Sequence, residues 1–387
     1  MDPSLSPEQL AFREEVRAFL RTPEVREEVA RVWESPRREE VHPERVYRWL
    51  GERGWLAANW PRQLGGLGLS MVEAAIVGEE MIFHGVPDTV HVNTVDIIGF
   101  FVLLVATPAQ KQRLLPPIAR GELNVSVLYS EPGVGSDLAS LQTRAERDGD
   151  GFRITGTKVY SLKTQFSKYG LCAARTNFQA DKHRGLTLFL VPLDAPGITV
   201  NPLWNVTDER FNEVVLDGAR VGPEDVLGPV DGGWQLISAA LALERTGLDY
   251  YAKARRWLDA LLERAAATGQ LANPRFSHRM VELDARIEAG RLLAWRVVTS
   301  LARGEIDEAM AAGSKWYCSE LGRMVTDLAL DLEGLEGTLS RWDGEAPMAG
   351  LLEAARRETP ALTFSGGTSE MMLHVVSAAG LRLHESD

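Results

Sequence analysis

The spacing of apolar residues changes period twice along this chain, and that double change limits the possible folds more than any single motif. Ser6-Pro7-Glu8-Gln9 reads as a helix start, with Ser6 as N-cap, Pro7 at the first helical position and Gln9 closing a capping box. Leu10, Phe12, Val16 and Phe19 follow at near-helical spacing, which predicts one buried face. The helical text runs to about residue 120, interrupted at Asn59–Gly68 by a loop dense in turn formers. From Asn124 the period is two. Leu141–Tyr160 alternates around Asp148-Gly149-Asp150-Gly151, a hairpin signal, and Leu186–Val191 and Glu213–Leu216 add strands, punctuated by Pro196-Gly197 and Asp217-Gly218. After about residue 230 the helical period returns. Met280, Leu283, Ile287, Ala294, Val298 and Leu301 form one stripe, and Met310, Gly313, Trp316, Met324 and Leu328 suggest a second.

Helices, then a β insert, then helices again argue for an α+β multidomain protein and against βαβ alternation. The expected division is an N-terminal α-helical domain at 1–120, a central β domain at 121–228 and a C-terminal helical domain at 229–387. No Walker loop, HExxH, GxSxG or strand–GxGxxG–helix unit is present, so a Rossmann fold is disfavoured. The chain has 42 basic against 54 acidic residues, a net charge of −12, which speaks against nucleic acid as a partner. Cys172 and Cys318 are too few and too far apart for a disulfide framework or a thiolate metal site; no metal is expected, and a reducing cytoplasm is the simplest compartment. The N-terminus lacks the basic and apolar regions of a signal peptide. The most apolar run, Ile97–Ala106, is too short to cross a membrane and reads as a buried helix.

Several segments carry a resemblance. Gly54-Trp55, Trp60-Pro61 and Gly65–Ser70 precede Gln110-Lys111 and Leu115–Glu122. Ser130-Glu131-Pro132-Gly133-Val134-Gly135-Ser136-Asp137 and Gly156-Thr157-Lys158-Val159-Tyr160 come next, and Gly366-Gly367-Thr368-Ser369-Glu370 lies near the C-terminus. In this order and at these distances they resemble the acyl-CoA dehydrogenase family of flavoproteins. The resemblance implies a helical N-terminal domain, a central β-barrel-like domain and a C-terminal four-helix bundle. It also implies FAD held between subunits of a homodimer or homotetramer, an acyl thioester substrate, and an electron-transfer flavoprotein or similar acceptor.

It further assigns residues. Val127, Leu128, Tyr129 and Ser130, just before the Pro-Gly loop, fall to the flavin, and Ser136 to the substrate. Alone, Pro132, Gly133 and Gly135 would read as an ordinary turn, or as a loop whose backbone lets a planar ring approach. Tyr160 takes the place of the family's flavin-facing aromatic, although its sequence context equally allows a buried sheet aromatic. Ser161 and Leu162 follow where the family offers a hydroxyl near the flavin's redox-active nitrogen, and Leu162 has none to offer. Gly334, Gly366, Gly367, Thr368 and Glu370 complete the cofactor set, with Glu370 toward the adenosine side.

Dehydrogenation of an acyl thioester needs a base for the α-proton. Many family members place a carboxylate where this chain has Gly366; others place a Glu before an Arg on the bundle helix, and Glu244-Arg245 matches that pattern. Glu244 is therefore the candidate base, with Glu370 a fallback that ranks below it, and Arg245 a substrate-site residue. The i±4 neighbours of Glu244 are Ala240 and Leu248, so no surface ion pair explains it. The segment that usually supplies an Arg and an aromatic to a neighbour's FAD reads Thr268–Pro274, with Arg275-Phe276 only beyond it. That departure leaves room for a heteromer with a paralogous subunit, in which this chain would be catalytic or structural. A flavin-dependent monooxygenase or oxidase on the same fold is the other alternative.

Overall fold

The computed structural model describes residues 5–305 and 307–383 and, for residues 239–244, the backbone alone. Helices α1 (Pro7–Leu20), α2 (Pro23–Trp33), α3 (Glu44–Glu52) and α4 (Met71–Phe83) come first. A continuous helical run follows, built from α5 (Thr89–His91), a π-helical stretch (Val92–Gly99) and α6 (Phe100–Val105), and then α7 (Pro108–Ala119). The strands are β1 (Val125–Leu128), β2 (Arg144–Asp148), β3 (Gly151–Leu162), β4 (Tyr169–Arg175), β5 (Leu186–Pro192), β6 (Ile198–Trp204), β7 (Arg210–Val221) and β8 (Val226–Leu227). Helices α8 (Gly233–Glu244), α9 (Leu248–Ala267), α10 (Pro274–Ala302), α11 (Glu308–Glu333), α12 (Leu351–Leu362) and α13 (Ser369–Val375) complete the chain. The expected α+β class holds. Among the described residues no helix is long and apolar enough to cross a membrane.

Contacts sort these elements into two compact units that do not follow chain order. One holds α1, α2, α4 and α9–α13; the other holds α3, α5–α8 and the sheet.

In the first unit α11 touches α9, α10, α12 and α13. Its buried face consists mainly of small residues, among them Ala311, Ser314, Cys318 and Gly322, and a Cβ on Gly322 would lie 2.8 Å from the Trp257 ring. Of the stripe expected at Met310, Gly313, Trp316, Met324 and Leu328, Leu328 is buried as expected and the other four lie on this helix's partly exposed flank. A helix surrounded by others is selected for close approach rather than for bulk, which hides it from a reading of large apolar residues. The α10 stripe is buried as expected from Met280 to Val298, with Leu301 half-buried.

The capping box of α1 also forms, with Ser6 Oγ accepting from Gln9 N–H and Gln9 Oε1 from Ser6 N–H. Its buried face is rotated, however, and Leu10 is 50% exposed. Phe12, Val16 and Leu20 face inward with Arg13 and Arg17 beside them, because two buried glutamates of α4 require cations. Arg17 binds Glu80 through two nitrogens at 2.7 and 3.0 Å, and Arg13 pairs with Glu79. Glu79 also accepts from Trp295 Nε1 of α10 at 3.0 Å. Burial pushes the Glu79 carboxyl above its ordinary range, with Arg13 and Trp295 opposing.

In the second unit the strands hydrogen-bond in the order β6-β7-β3-β2-β4-β5-β8, with β1 parallel to β4. The Asp148–Gly151 hairpin forms as expected, its loop carrying Gly149 at φ 65°. Asp217-Gly218 does not end a strand; β7 runs on to Val221 through a bulge opposite Thr155. One sheet face buries Phe152, Ile154, Phe189, Val214 and Leu216. Leu171, Ala173, Leu188 and Leu190 on the other face pack with Trp60, Ile98 and Phe101. Strands β4 and β5 are therefore covered on both sides, which is why they read as continuous apolar runs. Both free thiols, Cys172 and Cys318, are buried, and burial pushes them up to about 11 and about 12.

The loop after β1 is fixed by a buried ion pair. Lys158 of β3 is fully buried and donates to Glu131 Oε1 at 2.9 Å and to Tyr129 O at 3.1 Å. The same Glu131 carboxylate accepts from Gln142 N–H, Thr143 N–H and Thr143 Oγ1 at 2.6–2.8 Å. Burial alone would raise the Glu131 carboxyl, but Lys158 and these donors outweigh it and hold the carboxyl below its ordinary range. A carboxyl with a depressed folded-state value stabilises the fold above its unfolded value of about 4.3 and loses that contribution on acidification. Lys158→Met removes the cation from a buried carboxylate and should cost about 3–5 kcal/mol at pH 7. The difference from the parent should narrow as pH falls, first as the uncompensated Glu131 of the variant takes up a proton above its unfolded value and then as the parent loses its contribution below about 4.3. Urea unfolding at pH 7 and pH 4 checks both statements.

Candidate active site

The sheet unit presents the first group of expected residues. Val127 and Leu128 end β1, and the Leu128 side chain lies in the sheet core. Tyr129 is buried, and its carbonyl is one of the two acceptors of Lys158. Ser130 is half-exposed and its carbonyl accepts from Val159 N–H at 2.9 Å, which ties the loop to β3. Glu131 and Val134 then close a tight turn by exchanging backbone hydrogen bonds at 2.9 and 3.0 Å. Beyond the turn, Ser136 is exposed. A Cβ on Gly133 or Gly135 would meet no protein atom within 4 Å, so the space these glycines leave is open to a ligand.

Strand β3 loses register with β7 between Lys158 and Ser161. At this bulge Tyr160 adopts φ 60° and is 64% exposed. The buried alternative for this ring is thereby excluded: the left-handed backbone turns it outward, against only the edge of Phe211. Ser161 points the other way. It is 3% exposed, its hydroxyl has no hydrogen-bond partner among the described residues, and its carbonyl is held by Asn212 Nδ2 at 3.0 Å. Leu162, half-buried, follows at the end of the strand. An exposed aromatic in a strained conformation beside an open, glycine-lined turn fits a planar ring system.

The helical unit holds the second group. Gly366 and Gly367 have φ 61° and 106°, and Thr368 caps α13 by accepting from Met371 N–H. Cations hold the carbonyls of both glycines: Arg245 Nε donates to Gly366 O at 3.2 Å, and Lys315 Nζ donates to Gly367 O at 2.8 Å and Leu362 O at 3.1 Å. Ser369 Oγ donates to Glu320 at 2.8 Å. Glu370 is exposed in the first turn of α13. A backbone hydrogen bond and Thr368 lower its carboxyl below the ordinary range, which weakens it as a base. Gly334 ends α11 at φ 60°. Glu244 is the last residue of α8, and its side chain lies outside the described residues.

Four residues in these clamps had no role assigned from the sequence: Glu131 and Lys158, which lie inside the quoted motifs, and Lys315 and Glu320, which lie in none. Lys158 and Lys315 were nevertheless detectable as lysines at inward positions, one in an alternating strand and one among the small residues of α11.

Comparison with known proteins agrees with this arrangement. The N-terminal, middle and C-terminal domains of acyl-CoA dehydrogenase match residues 6–122, 126–219 and 231–381. The acyl-CoA dehydrogenase FadE26 of Mycobacterium tuberculosis is 30% identical, covering 98% of each chain. Among solved structures, the Tcur3481-Tcur3483 steroid ACAD superposes with a TM-score of 0.90 at 32% identity, over 99% of each chain. The ChsE4-ChsE5 complex from Mycobacterium tuberculosis superposes with a TM-score of 0.87 at 29% identity, over the full length of both. The expected three-part architecture and oxidoreductase class therefore hold, and the chain belongs to the acyl-CoA dehydrogenase family of FAD-dependent oxidoreductases.

Proposed function

We propose that this chain carries out α,β-dehydrogenation of a steroid-derived acyl thioester, with Glu244 as the base, in an assembly with an unlike subunit of the same family. The observation that carries the reading is the hydrogen bond from Arg245 to Gly366 O. Arg245 directly follows the candidate base and is tied to the position where many relatives carry their carboxylate. Gly366 has a left-handed backbone, which a Glu there would adopt only at a cost of about 1 kcal/mol or more, so this turn suits glycine with the base supplied elsewhere.

FAD, when bound, accepts the hydride from the β-carbon. The chain's own residues do the rest. Glu244 takes the α-proton, and Arg245 and Lys315 keep the Gly366-Gly367 turn in place. Tyr160 offers an aromatic face to the flavin and Ser136 a hydroxyl to the thioester end. Since Leu162 has no hydroxyl and Ser161 is turned inward, backbone N–H groups at the β3 bulge are the donors left for the flavin ring. The steroid class is supported by the likeness to the steroid ACAD at 32% identity.

An unlike partner is supported by the two-component names of the similar structures and by the 268–274 segment, where Gln270–Ala272 forms a short 3-10 turn with no Arg or aromatic. Arg275 stacks on its own neighbour Phe276 at 5.9 Å. Val281, Phe364, Leu381 and Leu383 are large exposed apolar side chains on the helical unit and provide surface for an interface.

Two outcomes follow. Glu244→Gln should retain FAD and folding but slow anaerobic flavin bleaching by substrate by about 10²–10⁴-fold; bleaching at the parent rate removes Glu244 from the mechanism. Co-expressed with its paralogue, the chain should purify as a heteromer with one FAD per pair of unlike chains, measured by light scattering and flavin absorbance. A homomer with one FAD per chain and full activity contradicts the pairing.

A further inference from the structure

The π-helical stretch Val92–Gly99 lies between two elements of the proposed reaction. It packs against β1, which leads into Tyr129 and Ser130, and against α8, which ends at Glu244. Thr94 makes the link to the strand. Its hydroxyl donates to Val125 O at 3.1 Å and accepts from Val125 N–H at 3.0 Å, so a side chain pairs this strand's main chain as a neighbouring strand would. Val95, Ile97 and Ile98 fill the core that also holds Tyr129 and Ile237 of α8.

A π turn is rare, and a cause for this one lies in the sequence spacing. In an α-helix, side chains five residues apart point about 140° away from each other. Hydrogen bonding from i to i+5 brings them onto one face. His91 and Asp96 are five apart, and His91 Nδ1 lies 3.4 Å from Asp96 Oδ2. The other ring nitrogen, Nε2, lies 3.0 Å from Leu56 O. A carboxylate and a carbonyl offer only lone pairs, so both ring nitrogens must donate and the ring is an imidazolium. His91 is buried, whereas Asp96 is half exposed. Both ends of the stretch are pinned as well. His91 N–H donates to Tyr47 Oη at 3.1 Å, and Gly99 sits under Trp60, where a Cβ would collide with the indole.

Burial disfavours the charge on His91, but Asp96, the Leu56 carbonyl and Asp88 outweigh it and hold the imidazole above its ordinary value. Among the surrounding elements, α3 brings Tyr47, whose hydroxyl burial keeps neutral and on which the His42 ring stacks at 4.5 Å. Helix α7 brings Lys111, Arg113, which pairs with Asp225, and Arg120, which pairs with Glu122. Strand β1 and the described side chains of α8 bring no charge.

We infer that the His91–Asp96 pair is a positioning device: it selects the π register of 92–99, and that register sets β1 relative to α8 through Thr94 and the core beneath it. The inference rests on the dehydrogenase reading for what is positioned, but not for the pair itself. A group whose folded-state value is raised contributes fully below its unfolded value of about 6.5 and loses that contribution as pH rises through the folded one. The pair is therefore closed at neutral pH and opens on the alkaline side.

Asp96→Asn keeps the shape of a half-exposed side chain and removes its charge. Imidazole NMR of the holoprotein, with the His91 signal identified by its loss in His91→Gln, should show a midpoint above about 6.5 in the parent and below it in Asp96→Asn. Amide hydrogen exchange, which needs no assignment of that signal, should rise about tenfold over 92–99 in Asp96→Asn and stay unchanged in β3 and β7. A parent His91 that titrates at or below its ordinary value, or exchange that Asp96→Asn leaves unchanged, overturns the inference. Anaerobic flavin bleaching by an acyl thioester should slow about tenfold as pH rises through the His91 midpoint. In Asp96→Asn this alkaline limb should move to lower pH while the acid limb, set by Glu244, stays in place; an unmoved alkaline limb overturns the positioning role. A shifted imidazole and faster exchange over 92–99 in a protein that no acyl thioester bleaches would uphold the register and refute the dehydrogenase reading separately.

Discussion

The cofactor face of the sheet unit depends on one buried ammonium. Lys158 has no access to water, and Glu131 and the Tyr129 carbonyl are its hydrogen-bond acceptors. Leaving either charge unpaired would cost several kcal/mol, so the loop after β1 must come to β3 at this point. There Ser130 O accepts from Val159 N–H, and β3 shifts register with β7 between Lys158 and Ser161, with Tyr160 at the bulge. The exposed ring and the inward serine at 161 lie directly beside that crossing. A neutral residue at 158 would not have fixed the position of the loop to within a hydrogen bond.

Period and capping made much of the architecture legible. The Ser6 box, the hairpin at Gly149 and the α10 stripe form where the sequence places them. What stayed hidden had a physical reason in each case. Strand β4 is covered on both faces and loses the alternation that marks a half-buried strand, whereas β5, covered likewise, was legible as an apolar run. Helix α11 packs largely with small residues; Leu321, Val325 and Leu328 reach the core, while Met310, Trp316 and Met324 lie on the flank. On α1 the inward face includes two arginines, because the requirement for charge pairing at Glu79 and Glu80 outweighs hydropathy.

The site was legible as a set of motifs but not as a mechanism of support. The SEPGVGSD block and the C-terminal GGTSE block could be located by resemblance, yet nothing in either names its anchors. Those anchors sit far along the chain: Lys158 is 27 residues from Glu131, and Lys315 is 52 from Gly367. In both blocks a buried lysine holds a main-chain carbonyl and so fixes a loop that carries two glycines of its own. The chain thus places cations under two glycine-bearing turns, and side-chain charge substitutes there for side-chain packing.

The interleaving of the two units has a consequence for biosynthesis. Helices α1, α2 and α4 leave the ribosome before the sheet does, but they belong to the unit completed by α9–α13. Trp295, which binds Glu79, is synthesised more than two hundred residues later. At roughly 5–20 residues per second that wait is on the order of ten seconds or more, during which the sheet unit can close and the early helices cannot. The nascent chain must therefore carry an apolar, partly charged N-terminal segment in waiting, and chaperone occupancy should concentrate on it rather than on the later sheet.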